Sequence, residues 1–357
     1  MIDTNFILNS TKGQLVSENI DFKFSGISTD SRTIEKDQLF VALKGENFDG
    51  HKFICDAITR GAAGVILEDL CEKPKPGKKL YVKVDSTLKS LGSLAKNWRE
   101  SFSDLKVVAI TGSNGKTTTK EMVSALAAKK YNVLKNTGNF NNLIGLPLTL
   151  FNLTEENEVA VLELGMNQFG EISRLAEICS PDIGIITNIG KAHIGNLGGI
   201  EGVKKAKGEL VENFGPDQIF IVNNDDPRVV EIASKVNCKK ITYSLKSNAD
   251  IRAFNIERDG LCSTRFTLRI ADKDKTVRLN NIGIHNVANA LCASACGTAL
   301  GLTLDEIASA LQNFEFPKMR LEIIDSEHGF KIINDCYNAN PDSMKNAITE
   351  LCEYKGD

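Results

Sequence analysis

Short apolar runs alternate with helix-like segments through the middle of the chain. The runs are VVAI, VAVLEL, IGIITNI and QIFIVNN, which begin at residues 107, 159, 183 and 218. Unbroken apolar runs are typical of strands buried on both faces of a parallel sheet, and helices between them cover those faces. The pattern therefore predicts an α/β fold whose central domain, residues 104–318, is built on a parallel sheet.

A second pattern occupies residues 250–280, where apolar and polar side chains alternate one by one. Such alternation is typical of antiparallel strands with one solvated face. We expect these strands to form an antiparallel flap on the central domain. Helical spacing of apolar residues then predicts one helix from about Asn286 and another over residues 304–313.

The two ends of the chain are organised differently from its middle. Residues 1–85 read as short strands and turns with one helix, which indicates a small mixed domain. Ser86 is a suitable N-cap for the apolar helical pattern that follows, so residues 86–103 are predicted to be a linker helix. Residues 319–357 contain two short strands and a helix, and we expect them to start a third, Rossmann-like domain.

The composition is that of a soluble globular protein. Hydrophobic residues make up 42% of the chain and charged residues 25%, and the formal net charge is -3. No strongly basic balance favours nucleic acid, no segment is apolar over a bilayer's width, and the amino terminus lacks the regions of a secretory signal. We therefore expect a cytoplasmic protein with no nucleic-acid partner and no membrane insertion.

The strongest chemical signal is the segment LKVVAITGSNGKTTTKEMV. Gly112 and Gly115 let the chain turn tightly from a strand into a helix, whose first backbone amides can bind phosphate. Lys116 can neutralise the terminal phosphates, and Thr117 can offer a hydroxyl to Mg²⁺. The alternative is a glycine turn that only closes a βα unit. The expected ATP-phosphate site consists of Gly112, Ser113, Asn114, Gly115, Lys116, Thr117 and Thr118.

Three further residues with metal or acid-base chemistry follow in the next βα units. Glu163 lies at the carboxyl end of a buried strand, where parallel sheets gather ligand-binding groups. Magnesium prefers oxygen ligands, so Thr117, Glu163 and ATP phosphates suit it, whereas a charged lysine cannot be a ligand. Taken alone, His193 and Lys207 are equally compatible with solvated surface positions.

From about residue 25 to its last residue, the sequence resembles the Mur ligase family. The loop TGSNGKTT has the glycine spacing of Mur ligases and folylpolyglutamate synthases rather than that of GTPases or kinases. The segments ELGMNQFGEI and DCYNANPDSM look like the family member that adds a dipeptide, whereas amino-acid-adding relatives differ at both places. A glycine-loop switch protein or kinase is disfavoured by the same spacing.

For the metal site, the resemblance implies more than the residues themselves do. Lys207, in KAKGE, matches a lysine that is carbamylated in the family and so becomes an oxygen donor. His193 and Glu163 would join it around a second Mg²⁺, while Thr117 serves the first. Together with Lys116 and Arg320, His193 and Lys207 are the expected catalytic residues.

The resemblance also implies contacts to the rest of ATP. Asn289 matches an asparagine that contacts adenine, Arg320 an arginine that holds a phosphate, and Asp335 an aspartate that contacts the ribose. Tyr337 and Asn338 stand near Asp335 and are expected to meet the substrate. For Asn286 we expect only a structural role, as the cap of its helix.

The UDP-sugar end of the substrate is expected at the amino-terminal domain, whose segment ISTDSRTIEKDQLFVALKGENFDGHKF resembles the first domain of the family. The matching positions here, together with two in the segment TGNFNNLIGLPLTL, are Ser31, Arg32, Lys44, Asp49, Gly50, His51, Asn139 and Asn142. The alternative is that DSR and DG are turns and that Arg32 is a surface charge.

What the resemblance implies for function is an ATP-dependent amide-bond ligase. It would join D-alanyl-D-alanine to UDP-N-acetylmuramoyl-tripeptide through an acyl phosphate, with ATP and Mg²⁺ as cofactors, and we expect a monomer. Because family members have a further α/β domain, we expect this chain to lack most of the amine-binding domain. The alternatives are a non-catalytic fragment that binds ATP and the UDP-muramoyl peptide, an amino-acid-adding ligase, or a folylpolyglutamate synthase.

Overall fold

The computed structural model describes residues 2–17, 21–45, 48–69 and 79–353. The chain divides into two compact units. Unit 1 comprises Met1–Ser103, Gly138–Thr154 and Glu177–Cys179, and unit 2 comprises Asp104–Thr137, Glu155–Ala176 and Ser180–Asp357. The four apolar runs that begin at residues 107, 159, 183 and 218 belong to unit 2.

Helices and strands follow one another through both units. The α-helices of the described residues are α1 (Thr4–Thr11), α2 (Ile54–Arg60), α3 (Thr87–Glu100), α4 (Lys116–Ala127), α5 (Gly145–Leu150), α6 (Glu171–Cys179), α7 (Ile194–Leu197), α8 (Ile200–Gly208), α9 (Pro227–Ser234), α10 (Ile284–Ala299), α11 (Leu304–Gln312) and α12 (Pro341–Glu353), and Gly50–Phe53 form a 3-10 helix. The strands are β1 (Gln14–Leu15), β2 (Ile27–Ser28), β3 (Leu39–Val41), β4 (Gly64–Leu67), β5 (Leu80–Lys83), β6 (Lys106–Thr111), β7 (Val133–Lys135), β8 (Val159–Glu163), β9 (Ile183–Ile186), β10 (Ile219–Asn223), β11 (Lys239–Ser244), β12 (Ile251–Asp259), β13 (Ser263–Ile270), β14 (Lys273–Leu279), β15 (Glu322–Asp325) and β16 (Lys331–Asn334).

Unit 1 is built on a sheet with the strand order β1-β5-β4-β3-β2. Neighbouring strands of this sheet pair in parallel, except β1 and β5, which are antiparallel. Successive strand residues point to opposite faces, so Leu39 and Val41 pack in one apolar cluster and Phe40 packs in another. Both faces of this small sheet are therefore covered.

The helices of unit 1 agree only partly with the sequence interpretation. The Ser86 hydroxyl accepts a hydrogen bond from the Lys89 amide, so Ser86 is the N-cap of α3 as predicted. The expectation of a single helix before residue 85 is wrong, because α1 precedes α2. Asp3 caps α1 by accepting from the Phe6 amide at 2.8 Å, and Ile7 of that helix is fully buried.

Unit 2 contains the predicted parallel sheet, with the order β14-β13-β12-β11-β10-β9-β6-β8-β7. Every neighbouring pair from β7 to β12 is parallel. The predicted α/β fold is thus confirmed. The carboxyl ends of β6, β8 and β9 meet at one edge of the sheet, which is where ligand sites form in such folds.

The antiparallel flap is confirmed, and it is continuous with the main sheet. Strand β13 pairs antiparallel with both β12 and β14, while β12 pairs in parallel with β11 at Tyr243↔Ile251.

Helix α11 carries a capping box, in which Thr303 and Glu306 satisfy each other's backbone amides.

Helix α10 begins earlier than predicted, and Asn286 does not cap it. The N-cap is Gly283, whose φ of 104° is a conformation that favours glycine. Asn286 therefore lies inside the first turn, where its side chain donates to the Ile282 carbonyl at 2.8 Å. The expectation of a cap at Asn286 is wrong because the chain turns into the helix at Gly283.

The last described segment contains the two strands and the helix that the sequence predicts. Strands β15 and β16 pair antiparallel from Glu322↔Asn334 to Asp325↔Lys331, and α12 follows them. Among the helices of the described ranges, none is long and apolar enough to cross a bilayer.

Candidate active site

The phosphate loop, residues 112–118, connects β6 to α4. Its glycines are required by geometry: Gly112 has φ 150° and Gly115 has φ 79°. A Cβ at Gly112 would lie 1.8 Å from the Thr187 hydroxyl, and one at Gly115 would lie 2.5 Å from the Asn289 carboxamide oxygen. No other residue type fits either position without moving the loop.

Side chains at the end of β9 fix the shape of this loop. Asn188 accepts from the Ser113 amide through its backbone carbonyl and from the Asn114 amide through its side chain, both at 3.0 Å. The Thr187 hydroxyl donates to the Asn114 carbonyl at 2.6 Å. The amides of Ser113 and Asn114 thus shape the loop, and the helix amides that follow are the ones with no intrahelical partner.

Two lysine side chains converge on the loop. Lys116 and Lys207 each donate from Nζ to the Gly112 carbonyl, at 2.9 Å. Lys207 is only 2% exposed, and burial, with a further contribution from the Lys116 charge, lowers its pKa well below the usual value. Burial also lowers the pKa of Lys116, although the Glu163 carboxylate opposes that effect.

Thr117, Glu163 and Arg320 form a connected polar group at the start of α4. The Thr117 hydroxyl donates to Glu163 Oε2 at 2.8 Å and accepts from Arg320 Nη2 at 3.2 Å. The Arg320 guanidinium also lies over the ring of Tyr337, 4.2 Å from its centre. This stacking holds the guanidinium near the loop while its charge stays available to an anion.

The oxygens of Thr117 and Glu163 suit Mg²⁺, which takes hard oxygen ligands and usually shares them with phosphates and water. Within the described ranges, no cluster of three or more His, Cys, Asp or Glu side chains is arranged to hold a metal. A metal bound here would therefore depend on the oxygens of Glu163 and Thr117, together with ligands that are not side chains of these four types, such as ATP phosphates.

His193 lies in the turn before α7, with φ 62°. Its imidazole is accessible, and its pKa is lowered, first by partial desolvation and then by the charges of Lys207 and Lys116. A lowered pKa keeps the ring neutral at physiological pH, as a metal ligand or a proton acceptor must be.

The residues expected to hold adenine and ribose belong to unit 2, and Asn289 lies beside Gly115 of the loop. Asn289 is 8% exposed, and its Oδ1 accepts from the Thr119 hydroxyl at 3.3 Å. Asp335 accepts from the Leu321 amide at 3.1 Å, and burial raises its pKa. Asn338 is exposed and accepts from the amide of Ala339.

In unit 1, the positions expected to bind the UDP-sugar make local contacts. Arg32 is exposed and pairs with Asp30, whose pKa the guanidinium lowers to about 2. Lys44 pairs with Asp69 at 3.3 Å. Ser31, in the same turn as Arg32, is buried.

Asp49, Gly50 and His51 form a structural turn. His51 is 5% exposed: its Nε2 accepts from the Glu68 amide at 2.9 Å, so its Nδ1 donates to Asp49 at 2.7 Å. A Cβ at Gly50 would lie 2.7 Å from the Leu43 carbonyl. Both ring nitrogens of His51 are therefore engaged, one within the turn and one by the backbone after β4.

Asn139 and Asn142 also belong to unit 1. Asn139 is exposed. Asn142 accepts from the amides of Ile144 and Gly145 at 3.0 and 2.9 Å, which satisfies the first donors of α5.

Several residues that shape the site were not singled out from the sequence. Asn136 lies against the backbone of Glu163, and Asn188 and Thr187 hold the loop. Asn340 donates to the Asn114 carboxamide at 2.7 Å. All are asparagines or threonines in loops or at strand ends, a common composition with no distinctive spacing.

Two family models match the chain. The Mur ligase middle domain matches residues 110–297, and the catalytic domain of the Mur ligase family matches residues 23–99. The UDP-N-acetylmuramoyl-tripeptide--D-alanyl-D-alanine ligase of Bacillus subtilis is 40% identical, and the alignment covers 93% of this chain and 71% of that protein. The ligase of the same name from Escherichia coli is 36% identical over 95% of this chain and 74% of its own.

Solved structures agree with these relationships. A crystal structure of MurF from Acinetobacter baumannii matches with a TM-score of 0.91 and 35% identity, over 98% of this chain and 76% of that one. The MurF ligase from Thermotoga maritima in complex with ADP matches with a TM-score of 0.84 and 28% identity, over 93% and 75% of the two chains.

Proposed function

The chain belongs to the Mur ligase family, and we propose that it joins D-alanyl-D-alanine to UDP-N-acetylmuramoyl-tripeptide in peptidoglycan synthesis while ATP is converted to ADP and phosphate. Relatives at 36–40% identity carry the name of that reaction. The observation that carries the proposal is the convergence of Lys116, Thr117, Glu163 and Arg320 at the amino terminus of α4.

The first step is phosphoryl transfer to the peptide. An oxygen of the tripeptide's terminal carboxylate attacks the γ-phosphorus of ATP, the bond to the β-phosphate oxygen breaks, and ADP leaves. Lys116 and Arg320 carry the positive charge that stabilises the phosphate oxygens as they gain charge. The second step is attack by the free amine of D-alanyl-D-alanine on the acyl carbon, which releases inorganic phosphate and a proton.

Magnesium would be held by Thr117, Glu163 and the phosphates, with Glu163, His193 and a carbamylated Lys207 around a second ion. When bound, the metal supplies charge neutralisation of the phosphates. Lys207 fits this assignment because its lowered pKa favours the neutral amine, the form that reacts with carbon dioxide. Burial of the resulting carboxylate would then demand a cation beside it.

The remaining assignments divide the substrates between the residues of unit 1 and those of unit 2. We assign the adenine to Asn289, the ribose to Asp335, and part of the peptide to Tyr337 and Asn338. The UDP-sugar is assigned to residues 1–85, at the positions Ser31, Arg32, Lys44, Asp49, Gly50 and His51, and to Asn139 and Asn142.

In this proposal, residues 86–103 link that domain to the ATP-binding domain of residues 104–318, and residues 319–357 begin the ligase domain. Because the reaction uses ATP and a UDP-linked precursor, we place the enzyme in the cytoplasm. We also propose that it is a monomer.

The test compares binding with turnover for the 357-residue chain. With ATP, Mg²⁺ and both substrates, the chain should release ADP in step with the UDP-muramoyl pentapeptide, and omission of either substrate should stop both. ATP binding without any pentapeptide would instead make the chain a binding fragment. ADP release that responds to folate or to a single amino acid, and not to D-alanyl-D-alanine, would place it among the other ligases of the superfamily.

A further inference from the structure

Lys120 is a buried lysine that the proposed chemistry does not use. It lies on α4, one helical turn after Lys116, and it is 1% exposed. Its Nζ donates to the Asn136 carbonyl at 2.7 Å and lies 3.0 Å from a carboxylate oxygen of Glu121. An ammonium group removed from water needs such partners, so Lys120 ties α4 firmly to the end of β7.

Asn136 continues that connection to the next strand. Strands β7 and β8 pair in parallel up to Lys135↔Val161, and β7 ends there. The side chain of Asn136, which is 2% exposed, then takes over the pairing. Its Oδ1 accepts from the Glu163 amide and its Nδ2 donates to the Glu163 carbonyl, both at 2.9 Å. The carboxamide therefore holds both backbone groups of the last residue of β8.

These contacts connect the two sides of the expected metal site. Thr117 and Lys120 are three residues apart on α4 and so lie on one side of the helix. The side chain of Glu163 reaches back to α4, where Oε2 accepts from the Thr117 hydroxyl. Helix α4, Lys120, Asn136 and Glu163 thus form a closed ring of contacts that ends where it begins, at the first turn of α4.

We propose that Lys120 and Asn136 are positioning residues that hold the Glu163 carboxylate opposite the Thr117 hydroxyl, so that the two oxygens are ready to receive the Mg²⁺ of ATP. The proposal rests on the assignment of those oxygens to Mg²⁺ made above. In this role, Lys120 and Asn136 act through the backbone that carries Glu163. Groups that orient metal ligands in this way typically change metal affinity about 10–100-fold when removed.

A Mg²⁺ titration of ATP binding separates positioning from general stability. Lys120→Met removes the ammonium and keeps most of the side-chain volume, and Asn136→Ala removes the carboxamide without changing any charge. Lys135→Met is the matched control, because Lys135 is half-exposed and pairs with the same Glu121. ATP affinity is measured by calorimetry without metal and across a Mg²⁺ series.

For Lys120→Met and Asn136→Ala we expect the Mg²⁺ concentration that gives half of the maximal gain in ATP affinity to rise at least about tenfold. The ATP affinity without metal should stay within about twofold of wild type. The double variant should be no worse than the more severe single variant, since both act through one path. The control should match wild type. If Lys120→Met fails to fold, Asn136→Ala decides the question alone.

Unchanged Mg²⁺ dependence in Asn136→Ala would overturn the positioning role and leave the proposed function intact. A fall in metal-free ATP affinity equal to the fall in the presence of Mg²⁺ would likewise overturn it, because that pattern indicates a general loss of structure. Absence of Mg²⁺-dependent ATP binding in the wild-type chain would overturn the ATP site itself and the positioning role with it.

Discussion

The ammonium groups of Lys116 and Lys207 share one acceptor, the carbonyl oxygen of Gly112, which lies 2.9 Å from each of them. Lys207 is almost wholly buried, and this burial, followed by repulsion from the Lys116 charge, lowers its pKa well below the usual value. Lys116 lies at the first turn of α4, at the proposed phosphate site. Lys207 is therefore the amine better prepared for modification.

Lys207→Ala should abolish ligation, because it removes the group proposed to become a carbamate. We expect at least a 100-fold loss of product formation, similar to that on removal of one oxyanion-stabilising donor. Short carboxylic acids such as acetate should restore part of the activity by supplying the missing oxygens. Lys205→Ala, an exposed lysine on the same helix, is the control and should leave the rate unchanged. Full activity in Lys207→Ala would show that ligation does not require a carbamate at this position.

The lowered pKa of Lys207 also predicts how stability depends on pH in the nucleotide-free chain. The folded state releases this proton at a lower pH than the unfolded state, whose lysine keeps a pKa near 10.5. Between the pKa of the folded state and 10.5, the unfolded state therefore binds more protons than the folded state. The wild-type chain loses stability as pH falls through this range. Above 10.5 the penalty disappears.

Lys207→Met should thus raise the free energy of unfolding at neutral pH by roughly 1 kcal/mol, the lower end of what replacing buried charged groups by apolar ones yields. The gain should shrink as pH rises from 7 towards 10. Denaturant unfolding in bicarbonate-free buffer measures it. A gain that is independent of pH would show that packing, rather than charge, is responsible.

Arg320→Lys should impair catalysis although it preserves the charge. The guanidinium stacks on Tyr337 and donates to Thr117, and an ammonium group cannot do both in one plane. We expect about a 100-fold fall in kcat/KM for ATP. Tyr337→Leu should cost only about fivefold, the value of one cation-π contact. Lys318→Ala, at an exposed neighbour, serves as the control; an equal loss in that variant would make the Arg320 effect nonspecific.

Two hydrogen bonds tie the start of α12 to the loop of residues 112–118 and to Lys191. Asn340 donates to Asn114 at 2.7 Å, and Asp342 accepts from the Lys191 amide at 3.0 Å. Asp342→Ala removes a contact worth about 1 kcal/mol, so amide hydrogen exchange across residues 341–353 should become several times faster. Exchange in α4 should not change. Equal acceleration in both helices would mean that the substitution loosens unit 2 as a whole.

The sequence predicts the elements whose signals are local. Unbroken apolar runs predicted β6, β8, β9 and β10, and the position of Ser86 predicted the start of α3. Helix α1 was missed because its eight residues carry a weak apolar pattern and its cap, Asp3, stands almost at the chain's start.

The start of α10 was misjudged because an asparagine near a helix start is a common cap. The backbone instead turns at Gly283, whose positive φ the sequence does not reveal.

The site was predictable where one segment carries the chemistry. Lys116 and Thr117 lie in a single loop with a distinctive spacing, and Glu163 ends an apolar strand. The Asn136 contact to Glu163 was not predictable, because the two residues meet only through the pairing of β7 with β8. The same holds for the contact between His51 and the Glu68 amide, because the two residues lie far apart in the sequence.

The most direct test of ligation through an acyl phosphate is oxygen transfer from the peptide to phosphate. UDP-N-acetylmuramoyl-tripeptide labelled with ¹⁸O in its terminal carboxylate is incubated with the protein, ATP, Mg²⁺ and D-alanyl-D-alanine, and the released phosphate is analysed by mass spectrometry. Ligation through an acyl phosphate predicts one labelled oxygen in the phosphate for each pentapeptide formed. Phosphate without label, or phosphate release that does not depend on D-alanyl-D-alanine, would contradict it.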